Sequence, residues 1–84
     1  MTEVIRIDTR ELPAPEPMEK VLNRLGEIQE GSYLEMHHRM RPEMLLNILR
    51  NNGFDYRVRE KHDEVFVYIF RSDDGTAREA IKDL

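Results

Sequence analysis

The feature that most constrains the fold is a run of six apolar residues at 65–70, Val-Phe-Val-Tyr-Ile-Phe. Successive side chains of a strand point to opposite faces, so an extended strand with this sequence is apolar on both faces. Such a strand suits the interior of a sheet better than an edge. We therefore predict that residues 65–70 form an interior strand.

The rest of the chain alternates between strand and helix patterns. Residues 4–7 form a β-branched run that ends at Asp8, and residues 32–38 and 54–59 alternate along the chain as strands do. Two segments between these strands carry apolar residues at helical spacing and are predicted to be amphipathic helices. The apolar stripe of the first helix is Met18, Val21, Leu22, Leu25 and Ile28, and that of the second is Leu45, Leu46, Ile48 and Leu49. Pro17 and Pro42 suit the starts of these helices, and Gly31 and Gly53 follow their ends. The predicted order is β-α-β-α-β-β.

This order restricts the topology. Right-handed β-α-β crossovers place both helices on the same side of the sheet. The last two strands then form an antiparallel hairpin, with its turn at residues 61–63. Two helices cover one face of a four-stranded sheet, and we expect the other face to be open.

Composition excludes several kinds of site. The chain has 84 residues, no cysteine and a net charge of −4, without a basic block. It therefore lacks disulfides, thiolate metal ligands and thiol nucleophiles. No apolar run reaches the roughly 18 residues of a membrane span, and the first residues lack a signal-peptide pattern. We expect a cytoplasmic protein.

Residues 1–71 are predicted to form one domain, and residues 72–84 an extension. Thr76 and Glu79 have the spacing of a capping box, and a helical face is shared by Ala77, Ala80, Ile81 and Leu84. The extension is either a frayed terminus or a short helix that docks on its own domain or on a partner.

Residues 8–17, Asp-Thr-Arg-Glu-Leu-Pro-Ala-Pro-Glu-Pro, resemble the opening of the TusA/SirA-like sulfur carriers. Those proteins show an Asp-x-Arg pair after the first strand and Cys-Pro-x-Pro at the first helix. The similarity continues through residues 30–35 and 49–54. It implies a two-layer α+β sandwich with a mixed four-stranded sheet in the order 1-2-4-3.

Ala14 stands where the carriers have their persulfide cysteine, which excludes persulfide transfer by that residue. The sequence therefore resembles more closely the cysteine-lacking branch of the superfamily, a conserved bacterial and archaeal domain of unknown function. Its motifs are matched here by Asp8, Arg10, Glu11, Leu12, Pro15 and Glu16, then by His37, His38 and Pro42. The resemblance implies the scaffold without the thiol chemistry.

Asp8, Arg10 and Glu11 follow the first strand, at the edge where open α/β sheets favour ligands. With His38 they are the candidate ligand-binding residues, and Arg10 would hold a small anion. The alternative is that Asp8 and Arg10 form a structural ion pair.

His37 and His38 are adjacent in a strand and point to opposite faces unless the strand frays at its end. They are weak candidates for a zinc-type metal site, because a third ligand is absent nearby in sequence. His62 is expected at the opposite end, in the hairpin turn. We predict no cofactor.

The open sheet face supplies the candidate partner surface, formed by Tyr33, Arg57, Phe66, Tyr68 and Phe70. A protein partner or a second copy of the chain is one predicted occupant, and the terminal helix is another. Aromatic rings beside arginines could instead stack on single-stranded RNA, although the net charge is negative.

Taken together, these patterns favour a non-catalytic module that binds a partner or a small ligand. Single-stranded RNA binding is the alternative, and a metal or enzymatic site at the histidine pair is the third. Neither Ser32 nor Ser72 lies in a nucleophile motif.

Overall fold

The computed structural model describes residues 3–84, and within them it contains four strands and three α-helices. In chain order these are β1 (Val4–Asp8), α1 (Glu16–Leu22), β2 (Tyr33–His38), α2 (Glu43–Asn51), β3 (Phe54–Lys61), β4 (Glu64–Arg71) and α3 (Gly75–Ala80). The strands form one mixed sheet in the order β1-β2-β4-β3. β1 and β2 are parallel, and β4 is antiparallel to both of its neighbours. The α+β fold, the sheet order and the interior position of β4 are therefore confirmed.

One face of the sheet packs against α1 and α2, and the main core lies between these two layers. Alternate strand residues point into this core, as the β-branched positions predict. Its buried members are Ile7, Leu34, Met36, Val65, Val67 and Ile69 from the strands and Val21, Leu25, Ile28, Leu45, Leu46 and Leu49 from the helical layer.

The first helix is shorter than the apolar stripe predicts. α1 ends at Leu22, and a separate 3-10 turn follows at Leu25–Glu27. Asn23 and Gly26 have low helix propensity, which favours a break between the two segments. Leu25 and Ile28 are buried nevertheless, so the stripe identified core residues correctly but not the helix end.

The second face of the sheet is partly covered, which corrects the expectation of an open face. α3 packs there and forms a second buried cluster of Tyr33, Tyr68, Phe70, Ala77 and Ile81. The rings of Tyr33 and Tyr68 meet edge to face at 6.0 Å between centroids. α3 thus covers part of the face that α1 and α2 leave open.

Asp74 fixes the start of α3 and ties it to the body of the domain. One carboxylate oxygen accepts a hydrogen bond from the Ala77 amide at 3.0 Å, and the other accepts from the Gly31 amide at 2.7 Å. Gly31 has φ +81°, a left-handed conformation that side chains other than glycine rarely adopt. These hydrogen bonds lower the pKa of Asp74 below its usual range.

Asp74→Asn is expected to lower the melting temperature by several degrees at neutral pH, because one carboxylate oxygen acceptor is lost. A carboxyl whose pKa is depressed on folding stabilises the protein above the unfolded pKa, about 4, and this contribution disappears as the pH falls. The difference between variant and wild type should therefore shrink below about pH 4. Melting curves across pH test this, with exposed Asp73→Asn as the control; parallel pH profiles would contradict it.

Among residues 3–84, none of the helices has the length and apolar character that crossing a bilayer requires.

Candidate functional site

The candidate site lies at the sheet edge where β1 and β2 end. His38, at the end of β2, pairs with Val65 near the start of β4. Because β4 begins where β2 ends, the β3–β4 turn that contains His62 lies at this same edge. The prediction that His62 lies at the opposite end is therefore wrong.

Arg10 is the centre of an ion-pair network at this edge. Its Nε lies 3.0 Å from Oδ1 of Asp8 and its Nη2 lies 2.8 Å from Oδ2, which makes a bidentate pair. Its Nη1 donates to Oε1 of Glu64 at 3.2 Å. The Arg10 hydrogen bonds hold the pKa of Asp8 well below its usual range, and Asp8 in turn raises the pKa of Arg10.

These contacts indicate that Asp8 and Arg10 form a structural ion pair, which was the alternative to anion binding by Arg10. Asp8, Arg10, Glu11 and Leu12 line a recess of about 460 Å³. All three guanidinium nitrogens of Arg10 are engaged with carboxylates, so an anionic ligand would have to displace one of them. An exposed ion pair of this kind contributes little to stability, because solvent screens the attraction between its charges.

His37 lies on the sheet face opposite the main core. Its ring stacks on Phe66 with centroids 4.3 Å apart and an interplanar angle of 18°. Its Nε2 lies 3.2 Å from Oε1 of Glu64, but without the geometry of a hydrogen bond. His37 therefore belongs to the network around Arg10.

His38 lies on the core-facing side and is only 7% exposed. Its Nδ1 lies 3.0 Å from the hydroxyl of Thr9, which is fully buried, and that hydroxyl donates to the main-chain carbonyl of His37 at 3.0 Å. A hydroxyl has one proton, and while Thr9 donates it to this carbonyl, the hydroxyl oxygen can only accept a hydrogen bond from Nδ1 of His38. This arrangement favours the tautomer with its proton on Nδ1 and a lone pair on Nε2.

Burial lowers the pKa of His38, a hydrogen bond with the main chain of Thr9 opposes this effect, and the positive charge of Arg39 lowers the pKa further. Burial and the neighbouring arginine thus both favour the neutral ring. The two adjacent histidines thus face different environments, and the structure does not bring them together as metal ligands. Within residues 3–84, no group of three or more histidine, aspartate and glutamate side chains could hold a metal ion.

His38 lines an apolar groove of about 330 Å³ beside the first turns of α1 and α2. We call it the methionine groove, because its lining includes Met18, Met36, Met40 and Met44, together with Ala14, Pro15, Pro17 and Pro42. Met40 is 64% exposed and Met44 is 67% exposed, and within the described residues these are the exposed large hydrophobic side chains. Exposed apolar side chains at one groove are typical of a binding surface.

The sequence builds this groove from its two proline-initiated helices. Pro17 lies in the first turn of α1, and Pro42 directly precedes α2. Met36 and His38 are two residues apart in β2 and so point to the same face. The charged residues of the groove pair with each other, since Nε of Arg41 lies 2.6 Å from Oε1 of Glu43.

Thr9 and His38 resemble a nucleophile–base pair, but their geometry does not suit catalysis. The Thr9 side chain is inaccessible to solvent, and its hydroxyl proton is held by a main-chain carbonyl. An activated nucleophile gives its proton to the base and must reach its substrate. Thr9 is therefore a positioning residue for the His38 ring.

The five predicted partner-surface residues do not form one exposed surface, because α3 covers part of this sheet face. Tyr33, Tyr68 and Phe70 are buried under or beside it, Phe66 is partly buried against His37, and Arg57 is exposed. The aromatic rings proposed to stack on RNA bases are therefore mostly inaccessible while α3 is docked.

Comparison with known proteins adds the family. Residues 6–72 match the model of a family described as "Uncharacterized conserved protein (DUF2249)". The chain belongs to this family. No curated protein and no solved structure matches the chain significantly. The DUF2249 match includes the Arg10 network and the methionine groove, whereas α3 lies after the matched residues.

The sequence did not predict two parts of this candidate site. Thr9 lies between two charged residues, and nothing local indicates its contact with a histidine 29 positions away. The methionine groove had a signal, since four of the five methionines lie within residues 18–44 and two of them flank Arg-Pro-Glu. Met40 and Met44 belong to neither of the apolar stripes of the predicted helices, which indicates a surface role for them.

Proposed function

We propose that this protein is a non-catalytic binding module that takes up a small ligand in the methionine groove. The observation that carries this proposal is the buried His38 ring, which Thr9 holds at Nδ1 while the ring lines the groove. A groove of about 330 Å³ is large enough for a small molecule. The few polar groups in an apolar pocket commonly fix the orientation of its ligand.

We further propose that the domain is a TusA-like scaffold that has lost its thiol. The sheet order 1-2-4-3 supports this, because the resemblance to the sulfur carriers implies the same order. Ala14 also supports it: this residue matches the carriers' cysteine and lines the methionine groove. The proposed ligand site thus coincides with the position of the carriers' reactive sulfur. A cysteine-free chain suits a reducing compartment, and we propose the cytoplasm as its location.

An apolar fluorescent probe tests whether the groove accepts a ligand. Anilinonaphthalene sulfonate should bind the native protein with one equivalent and a blue-shifted emission, because its apolar rings can pack on the exposed methionines of the groove. Met44→Glu should weaken this binding about tenfold or more, since a carboxylate in the groove opposes both the apolar ring and the sulfonate.

Asn47→Glu is the matched control, because Asn47 is exposed on α2, outside the groove, and the charge change is the same. Equal binding by wild type and Met44→Glu, or equal loss in both variants, would show that the probe does not enter the groove. The proposal would then be wrong.

A further inference from the structure

We infer that the methionine groove is a site for monovalent copper, with Nε2 of His38 and the thioether sulfurs of Met40 and Met44 as ligands. This inference rests on the proposed function and names the ligand of the same groove. It concerns binding alone, so that no redox step is involved.

The distribution of the methionines is the first support. Every methionine of residues 3–84 lines this one groove. Met36 is fully buried and has an ordinary core role, but Met40 and Met44 leave most of their surface in solvent. Packing therefore does not account for methionine at these two positions. Thioether sulfur is a soft ligand that selects Cu(I) over harder ions such as Zn²⁺.

The His38 ring is the second and independent support. A metal-ligating histidine usually donates its other N–H to a neighbouring acceptor, which fixes the ring and raises its basicity. Thr9 provides this acceptor at 3.0 Å from Nδ1. Nε2 is left with its lone pair and makes no hydrogen bond to residues 3–84.

The three proposed ligands lie within residues 38–44 and line the same groove. His38 ends β2, Met40 follows two residues later, and Met44 lies in the first turn of α2. Methionine side chains have three rotatable bonds, so the two exposed thioethers can turn toward a common ion. The Arg41 charge at the groove is offset by Glu43, at 2.6 Å, and Arg39 donates to the Leu12 carbonyl at 3.3 Å.

Anaerobic titration of the full chain with Cu(I), in competition with the coloured chelator bicinchoninate, tests the inference. Wild type should bind one equivalent. The double variant Met40→Leu/Met44→Leu keeps an apolar groove without sulfur, and its affinity should fall by more than about 100-fold, the upper range for loss of one supporting group. His37→Gln, which alters the neighbouring histidine on the other face, should bind Cu(I) like wild type.

The inference is overturned if wild type does not compete for Cu(I), or if the double leucine variant binds as tightly as wild type. Anilinonaphthalene sulfonate binding separates this failure from failure of the proposed function, because the leucine variant should retain the dye. Dye binding without Cu(I) binding removes the copper assignment alone. If wild type binds neither Cu(I) nor the dye, the groove is not a ligand site.

Discussion

Ile81→Asp is expected to release α3 from the sheet and to make the protein self-associate. Ile81 is 2% exposed and packs in the cluster with Tyr33, Tyr68 and Phe70. A carboxylate has no partner in that cluster, and a six-residue helix is not stable without its packing. We expect a loss of about 2–4 kcal/mol in the free energy of unfolding. Urea denaturation measures the loss, and sedimentation velocity measures the increase in mass.

Lys82→Asp provides the control, since the neighbouring Lys82 side chain is 67% exposed and the substitution introduces the same residue. This variant should stay close to wild type in both measurements. A protein partner that uses the aromatic face would have to displace α3, and Ile81→Asp mimics that displaced state. An Ile81→Asp variant with wild-type stability and mass would contradict the covering role of α3.

Thr9→Val is expected to destabilise the protein by about 1–3 kcal/mol, because it removes the buried hydroxyl that lies 3.0 Å from Nδ1 of His38. Valine has nearly the same shape as threonine, so that the cost comes from the missing hydroxyl and not from a cavity. Denaturation in urea measures this difference. We also expect the variant to bind Cu(I) more weakly, because the ring is no longer held.

Thr9→Ser keeps the hydroxyl and loses only a methyl group, and it should preserve Cu(I) binding better than Thr9→Val. Wild-type stability and wild-type Cu(I) affinity in Thr9→Val would show that the hydroxyl does not position His38.

Much of the fold could be predicted because each of its determinants is local in sequence. The run at residues 65–70, apolar on both faces, indicated an interior strand. The alternation in residues 32–38 and 54–59 and the β-branched run at residues 4–7 indicated the other three strands. Proline and glycine marked where α2 begins and ends. The end of α1 was not predictable from the apolar stripe, because a 3-10 turn can present Leu25 and Ile28 to the same core.

The site depends on register and could be predicted only in part. The Asp8–Arg10 pair is local, and its bidentate geometry fits the structural alternative considered from the sequence. The contact of Thr9 with His38 depends on the parallel pairing of β1 with β2, which sequence alone does not specify. The prediction for His62 was wrong because β4 runs antiparallel to β2, which places the β3–β4 turn beside the end of β2.

Both proposals for the methionine groove, small-ligand binding and Cu(I) binding, depend on which ring nitrogen of His38 carries the proton. A long-range ¹H–¹⁵N correlation spectrum of the ¹⁵N-labelled protein near pH 7.5 distinguishes the two neutral tautomers directly. We predict that His38 carries its proton on Nδ1, with the chemical shift of an unprotonated nitrogen at Nε2. A proton on Nε2 would mean that Thr9 does not hold the ring as described, and it would contradict the proposed ligand site.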